Sequence, residues 1–307
     1  MTRKVILVLA LATLVLGSGL ILAQAPARTA SSNMVYVPVA VTGPKNVFVT
    51  GLKKENFTLL EDNIEQTISN FYEENQPIDM DIILAMRALQ PGRSDLNSVK
   101  IREAIENFRQ QSNSLNKYTV EEMPFGANGI WDSISRHVTR LAETSINPRK
   151  LVLVLTDGFE ASAGEPWRAL QEYAKKLDVP IYIVYSPVPS GGNSGPPNSA
   201  LSDNILDVAR GEQIFLSGGA AYEDLARFTG GRLFQAEADT QLPPFLESLA
   251  QELKSQYVLG FTSTNDARND KWRKLQVKMK AAGGFNGIKE KDLKPKVRDR
   301  YFVAKPK

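Results

Sequence analysis

Lys150-Leu151-Val152-Leu153-Val154-Leu155-Thr156-Asp157-Gly158 sets five consecutive apolar residues between a lysine and a Thr-Asp-Gly stop. A strand with one wet face would alternate; a run this short and unbroken fits a strand covered on both faces. Two other segments share the character, Asp81-Ile82-Ile83-Leu84-Ala85-Met86 before it and Ile181-Tyr182-Ile183-Val184-Tyr185 after it. Amphipathic stretches separate them over Leu96 to Gln111, Gly129 to Glu143 and Pro166 to Leu177, the last with its proline near the first turn. Tyr118 to Met123 reads as one more strand. Strand and helix in alternation predict a parallel sheet with helices on both faces. Helix Ala221 to Thr229, strand Arg232-Leu233-Phe234 and helix Leu242 to Ser255 complete this unit, and the Pro-, Gly- and Ser-rich Ser186 to Asn198 reads as an exposed excursion.

Outside this unit the period shortens to two. Val35, Val37, Val39 and Val41 alternate with their neighbours, Val47 to Leu52 repeats the β-branched bias, and Phe57 to Leu60 and Thr67 to Phe71 flank the turn Glu61-Asp62-Asn63. Gln256 to Thr262, Trp272 to Lys280 and Arg300 to Val303 are strand-like at the other end. The expected organisation is a small β module over 34–76, an α/β domain over 77–256 and a β-rich basic segment over 257–307.

The chain start reads as a targeting segment. Arg3 and Lys4 precede an uncharged run from Val5 to Ala23, and Ala23-Gln24-Ala25 has the small-x-small form of a signal-peptidase site, with Ala25-Pro26-Ala27 as the alternative. Residues 1–25 are therefore expected to be a signal peptide and 26–33 a linker. Placement is extracytoplasmic, periplasmic or secreted, with a retained N-terminal membrane anchor as the alternative.

Composition narrows the chemistry. Among 307 residues there is no cysteine, which removes disulfides, thiolate metal sites and thiol nucleophiles, and the single histidine, His137, nearly removes imidazole metal sites and triads. The net charge of +3 lacks the basic excess of a nucleic-acid binder. Charge is divided unevenly, with +9 from Asn265 to Lys307 and −8 over residues 28 to 264. Lys289, Lys291, Lys294, Lys296, Arg298 and Arg300 are expected to form a basic face able to touch an anionic lipid or wall polymer. Asn56-Phe57-Thr58 fits a glycosylation sequon, a short pattern that mostly arises by chance.

Several segments together resemble a known family. Val49-Thr50-Gly51-Leu52 with Glu55-Asn56-Phe57 and Glu61-Asp62, the strand ending Thr156-Asp157-Gly158, Leu225-Ala226-Arg227-Phe228-Thr229-Gly230-Gly231, and Glu252 to Phe261 are similar, in that order, to the bacterial von Willebrand factor type A (VWFA) related proteins of the acidobacterial type. The resemblance implies a truncated Rossmann-like A-domain between a small N-terminal β module and a β-rich C-terminal segment. It also implies a metal-ion-dependent adhesion site, in which an Asp-x-Ser-x-Ser loop, a threonine and an aspartate hold a hard divalent ion and leave a position for a partner's carboxylate.

Here the Asp-x-Ser-x-Ser positions fall on Ala85, Arg87 and Leu89, and Asn128 takes the threonine's place in Gly126-Ala127-Asn128. Asp157 is retained, so Asp157 and Asn128 are the remnant candidates for a metal, and the site is expected to be degenerate with no cofactor. Arg87, at a serine position, is expected to close the site by pairing with Asp157.

Plainer roles stand beside these. Asp157 before glycine also reads as a turn former or helix cap, Asn128 as an N-terminal turn residue, His137 as a solvated helix position, and Trp131 and Phe125 as core. Asp157 with Glu160 offers two carboxylates but no accompanying nucleophile or phosphate-binding loop. The expected function is an exported, non-enzymatic protein-interaction or adhesion-type module whose partner is an unknown protein or envelope ligand. The alternatives are an adhesin retaining Mg²⁺ or another divalent cation at Asp157 and Asn128, and a metal-dependent hydrolase, for which these carboxylates are too few.

Overall fold

A computed structural model describes residues 34–86, 89, 96–111, 116–123, 129–158, 165–186, 219–236, 241–280 and 288–305. The targeting segment, the linker and the excursion beyond residue 186 lie outside the described residues. In chain order the strands are β1 (Met34–Thr42), β2 (Phe57–Glu61), β3 (Ile64–Gln66), β4 (Ile68–Tyr72), β5 (Asp79–Ala85), β6 (Lys117–Glu122), β7 (Lys150–Thr156), β8 (Ile181–Tyr185), β9 (Leu233–Gln235), β10 (Tyr257–Thr262), β11 (Lys271–Met279), β12 (Lys294–Lys296) and β13 (Arg300–Val303). The helices are α1 (Leu96–Gln111), α2 (Ile130–Thr144), α3 (Glu165–Ala174), α4 (219–229) and α5 (Leu242–Lys254). Among the described residues no helix is long and apolar enough to cross a membrane.

The chain is mixed α/β, with a five-stranded sheet in the order β6-β5-β7-β8-β9, every neighbouring pair parallel. Side chains alternate across its faces. Ile83, Val152, Val154, Ile181 and Ile183 point to one face and pack on α2, α3 and α4; Met80, Ile82, Leu84, Leu151, Leu153 and Val184 point to the other and pack on α1 and α5. Both faces are dry, which is why these strands read as unbroken apolar runs. Full burial of each such aliphatic side chain stabilises the fold by roughly 1.5 to 3 kcal/mol.

The β-rich ends interleave. One four-stranded sheet has the order β12-β1-β10-β4 and the other β13-β11-β2-β3, so each combines strands from before β5 and after α5. Val37, Val39 and Val41 from β1 meet Leu259 and Phe261 from β10 and Leu275 and Val277 from β11 in one apolar core. Within it Glu61 on β2 pairs with Arg273 on β11 at 3.2 Å and accepts a hydrogen bond from the Tyr301 hydroxyl on β13. Neither terminal segment therefore holds a sheet of its own.

The strand expected over Val47 to Leu52 does not form. Lys45 and Asn46 adopt positive φ, and only the isolated bridge between Thr42 and Phe48 joins this stretch to a neighbour by a ladder contact. Its backbone is served partly by main-chain bonds, Val49 N–H to the Val41 carbonyl and Gly43 N–H to the Val47 carbonyl, each at 2.8 Å, and partly by side chains. The Tyr257 hydroxyl donates to the Val49 carbonyl at 3.1 Å and accepts from the Leu52 N–H at 3.0 Å. Conversely β3 and β12 were not expected. The Asp62-Asn63 turn has φ of 48° and 68°, the two positive values that close a tight hairpin onto β3.

Contacts join the two parts. Arg298 donates to Asp178 after α3 and, at 2.9 Å, to the Tyr36 carbonyl on β1, and the Phe228 and Trp272 rings lie 5.6 Å apart. Gly231 packs its backbone against the start of β8, where a Cβ would overlap the Ile181 carbonyl.

Candidate functional site

Because α1 crosses one face of the sheet and α2 the other, the chain changes side between β5 and β7. The carboxyl ends of these strands are the topological switch point, where open α/β sheets bind ligands. Asp157 follows β7 there, buried, and its N–H reaches the Ala85 carbonyl at the end of β5 at 3.4 Å. The Gly158 N–H turns back to the Thr156 hydroxyl at 3.0 Å. Gly158 has φ +75°, and a Cβ would stand 2.6 Å from Cε2 of Tyr185, so the turn and the aromatic ring exclude a side chain together. Burial, followed by the nearby Asp157 charge, pushes the Tyr185 hydroxyl pKa up.

The side chains at the end of β5 do not suit a hard cation. Ala85 is 4% exposed and Leu89 2%, and both offer hydrocarbon where a divalent ion needs oxygen. Among the described residues no group of three or more His, Asp and Glu is placed to hold a metal. The groups present at the described positions thus do not fit the adhesion-type ion. Arg87, Asn128, Glu160 and Phe125 lie outside the described residues, and with them the Arg87 to Asp157 closure.

Trp131 sits in the core, its ring 5.2 Å from that of Tyr222, which in turn lies 5.6 Å from Tyr185. Asn56 is buried, accepting from the Lys53 N–H at 2.8 Å and donating to the Lys280 carbonyl at 3.3 Å, so its amide is engaged in the fold rather than presented for modification. The expected basic face is divided. Lys289, Lys291, Lys294, Lys296 and Arg300 are exposed, but Arg298 is drawn inward by Asp178 and Tyr36, its side chain 7% exposed. Lys294 and Lys296 stand on β12 and Arg300 on β13, in different sheets.

His137 is not the solvated helix residue the sequence implies; it is 7% exposed and bridges two carboxylates. Its Nδ1 lies 2.7 Å from Asp81 Oδ2 on β5 and its Nε2 lies 2.6 Å from Glu121 Oε2 on β6. Arg140 donates its Nε–H to Asp81 at 3.0 Å, while Ser133 and Arg136 donate to Glu121 at 2.8 and 2.9 Å. The bond to Asp81 raises the His137 pKa, desolvation opposes it, and the bond to Glu121 raises it further. Burial pushes both carboxyls up, but hydrogen bonds outweigh it and leave Asp81 lowered and Glu121 at about 2. With both ring nitrogens facing carboxylates, the imidazole acts as a cation holding α2 to the sheet, and neither nitrogen is open to take a substrate proton. The available sequence signal was Asp81 itself, since a carboxylate inside a strand buried on both faces must find donors.

No protein-family model matches the chain, and a search of curated proteins finds no match either.

Proposed function

We propose that the chain is an exported, non-enzymatic protein-interaction module of adhesion type, built on a VWFA-like α/β domain whose metal site is largely lost. The observation that carries this reading is the switch point itself, where Asp157 meets Ala85, which brings a methyl group and no ligating oxygen, while Leu89, another of the expected ligand positions, is buried hydrocarbon. The engaged His137 adds support, because it leaves the imidazole without a general-base role. Export rests on Arg3, Lys4 and the apolar run to Ala23. The exposed lysines of β12 and its approach add a surface able to attract anionic polymers in low salt.

The test is affinity capture from envelope extract with the chain beginning at Arg28, in Mg²⁺ and in EDTA, beside Asp157→Arg. A defined protein retained equally in both buffers and lost with Asp157→Arg is the expected result. Retention that requires Mg²⁺ would restore the metal-dependent adhesin. Turnover in a hydrolase substrate screen would overturn the non-enzymatic reading.

A further inference from the structure

A cavity of about 720 Å³ opens between the β-rich part, at Pro38 and residues 295–299, and the amino ends of β5, β7, β8 and β9. It lies at the end of the sheet opposite Asp157, about 20 Å along a seven-residue strand such as β7. We propose that it is a binding site for a small oxyanion-bearing molecule, a phosphate ester or a polycarboxylate, gripped by Arg149, Arg232 and Arg298. This goes beyond the interaction reading and does not depend on it.

Arg149 is the most buried of the three guanidinium groups. It is 3% exposed, and among the described residues the hydrogen-bond partners of its guanidinium are two main-chain carbonyls, those of Gln76 and Leu253, with no carboxylate in ion-pair contact. A buried guanidinium without a counter-charge is costly, and its cavity position gives an anion the means to supply one. Burial lowers its pKa to about 10, which still leaves it charged at neutral pH.

The neighbouring arginines are also short of acceptors. Arg149, Arg232 and Arg298 all line the cavity, and in each the Nε is buried without a hydrogen-bond partner. Arg232 holds Glu252 through one terminal nitrogen, and Arg298 holds Asp178 and the Tyr36 carbonyl through its two. Gly230 makes the last arrangement feasible, since a Cβ there would stand 2.9 Å from Cδ of Arg298.

Charge in the lining favours an anion. Arg149, Lys150, Arg227, Arg232, Lys296 and Arg298 contribute cations, of which Arg227 is paired with Asp224, Arg232 with Glu252 and Arg298 with Asp178. Of the three lining acids, Glu252 is engaged by Arg232 and Asp299 by Arg300, and Glu223 is exposed on α4. Planar guanidinium forks suit carboxylate and phosphate alike, so both sources share one recognition chemistry. The volume falls within the range of small-molecule pockets, and a boundary between two structural parts is a common place for one.

Isothermal titration with sodium pyrophosphate and with citrate, at ionic strength matched by NaCl, tests the proposal. Saturable binding of at least one is expected, with pyrophosphate preference assigning phosphate esters and citrate preference assigning polycarboxylates. Arg232→Gln and Arg149→Lys, the latter keeping charge but losing the fork, should each weaken binding at least tenfold. Arg109→Gln, at an exposed position of α1, should not. If Arg149→Lys fails to fold, Arg232→Gln decides alone. No saturable binding of either probe, unchanged affinity in Arg232→Gln, or equal weakening in Arg109→Gln overturns the site.

Discussion

The Nδ1 of His137 lies 2.7 Å from Oδ2 of Asp81, joining the only histidine of the chain to a carboxylate with no solvent exposure. The pKa shifts define when this contact stabilises. His137 is raised above 6.5, so its contribution is whole below that pH and lost as pH rises through the folded value. Glu121 falls from 4.5 to about 2, so its contribution is whole above pH 4.5 and lost as pH drops toward 2; Asp81, lowered from 3.8, behaves alike. The cluster therefore stabilises most between these carboxyl and imidazole ranges. His137→Gln should cost about 2 to 4 kcal/mol at pH 5.5, with the gap narrowing once the wild-type imidazole deprotonates. Urea unfolding of both proteins from pH 4 to 9 checks this, and a gap independent of pH would contradict it.

What could be read from sequence divides along physical lines. The strands β5, β7 and β8 and helix α1 were legible because burial on two faces, or on one helical face, leaves a periodic trace. Arrangement across the β-rich ends was not, since Val37 alternates identically whether β1 pairs with β2 or, as found, with β10. Val47 to Leu52 misled because a β-branched stretch whose main chain is held partly by the Tyr257 hydroxyl, at Val49 and Leu52, has the composition of a strand. At the site, Ala85 at the end of β5 and Asp157 after β7 could be placed by counting along strands. Arg149 left no signal, because its isolation from carboxylates depends on folding that brings the Leu253 and Gln76 carbonyls to it.

The interleaving predicts that residues 34–76 do not fold alone. Within that segment β2 pairs with β3, while β1 takes β10 and β12 as neighbours and β4 takes β10. An isolated two-stranded hairpin is marginal in water. The fragment should give collapsed amide resonances and no cooperative thermal transition. A dispersed spectrum with a sigmoidal melt would show that the segment is an autonomous module after all.

Two glycines separate packing from backbone preference. Gly231→Ala drives a methyl into the Ile181 carbonyl, a main-chain atom that cannot rotate away, and should cost about 3 kcal/mol or more. Gly51 has φ +79° with nothing within 4 Å of its added Cβ, so Gly51→Ala should cost only about 1 kcal/mol through its conformation. Denaturant midpoints of the two variants measure the difference. Equal losses would mean that the approach of Gly231 to β8 is looser than the geometry implies.

The switch point gives the last prediction. A hard divalent ion needs about six oxygen ligands; the end of β5 brings the methyl group of Ala85 next to Asp157, and Leu89 is buried hydrocarbon. Water can complete a shell only around an ion already held by enough charge, and one carboxylate at a strand end holds Mg²⁺ weakly against its own hydration. Selective binding to the folded state at a hundredfold excess over the dissociation constant would add about 2.7 kcal/mol of stability, an easily measured rise in melting temperature. Millimolar Mg²⁺, Mn²⁺ and Ca²⁺ should therefore each leave the melting temperature of the wild type within a degree of its value in EDTA, with ionic strength held constant. The control is Asp157→Ala, which separates binding at this site from ions acting elsewhere. Stabilisation seen in the wild type and abolished in Asp157→Ala would mean that Asp157 and groups beyond the described residues still assemble a metal site, and the metal-dependent adhesin would replace the reading proposed above.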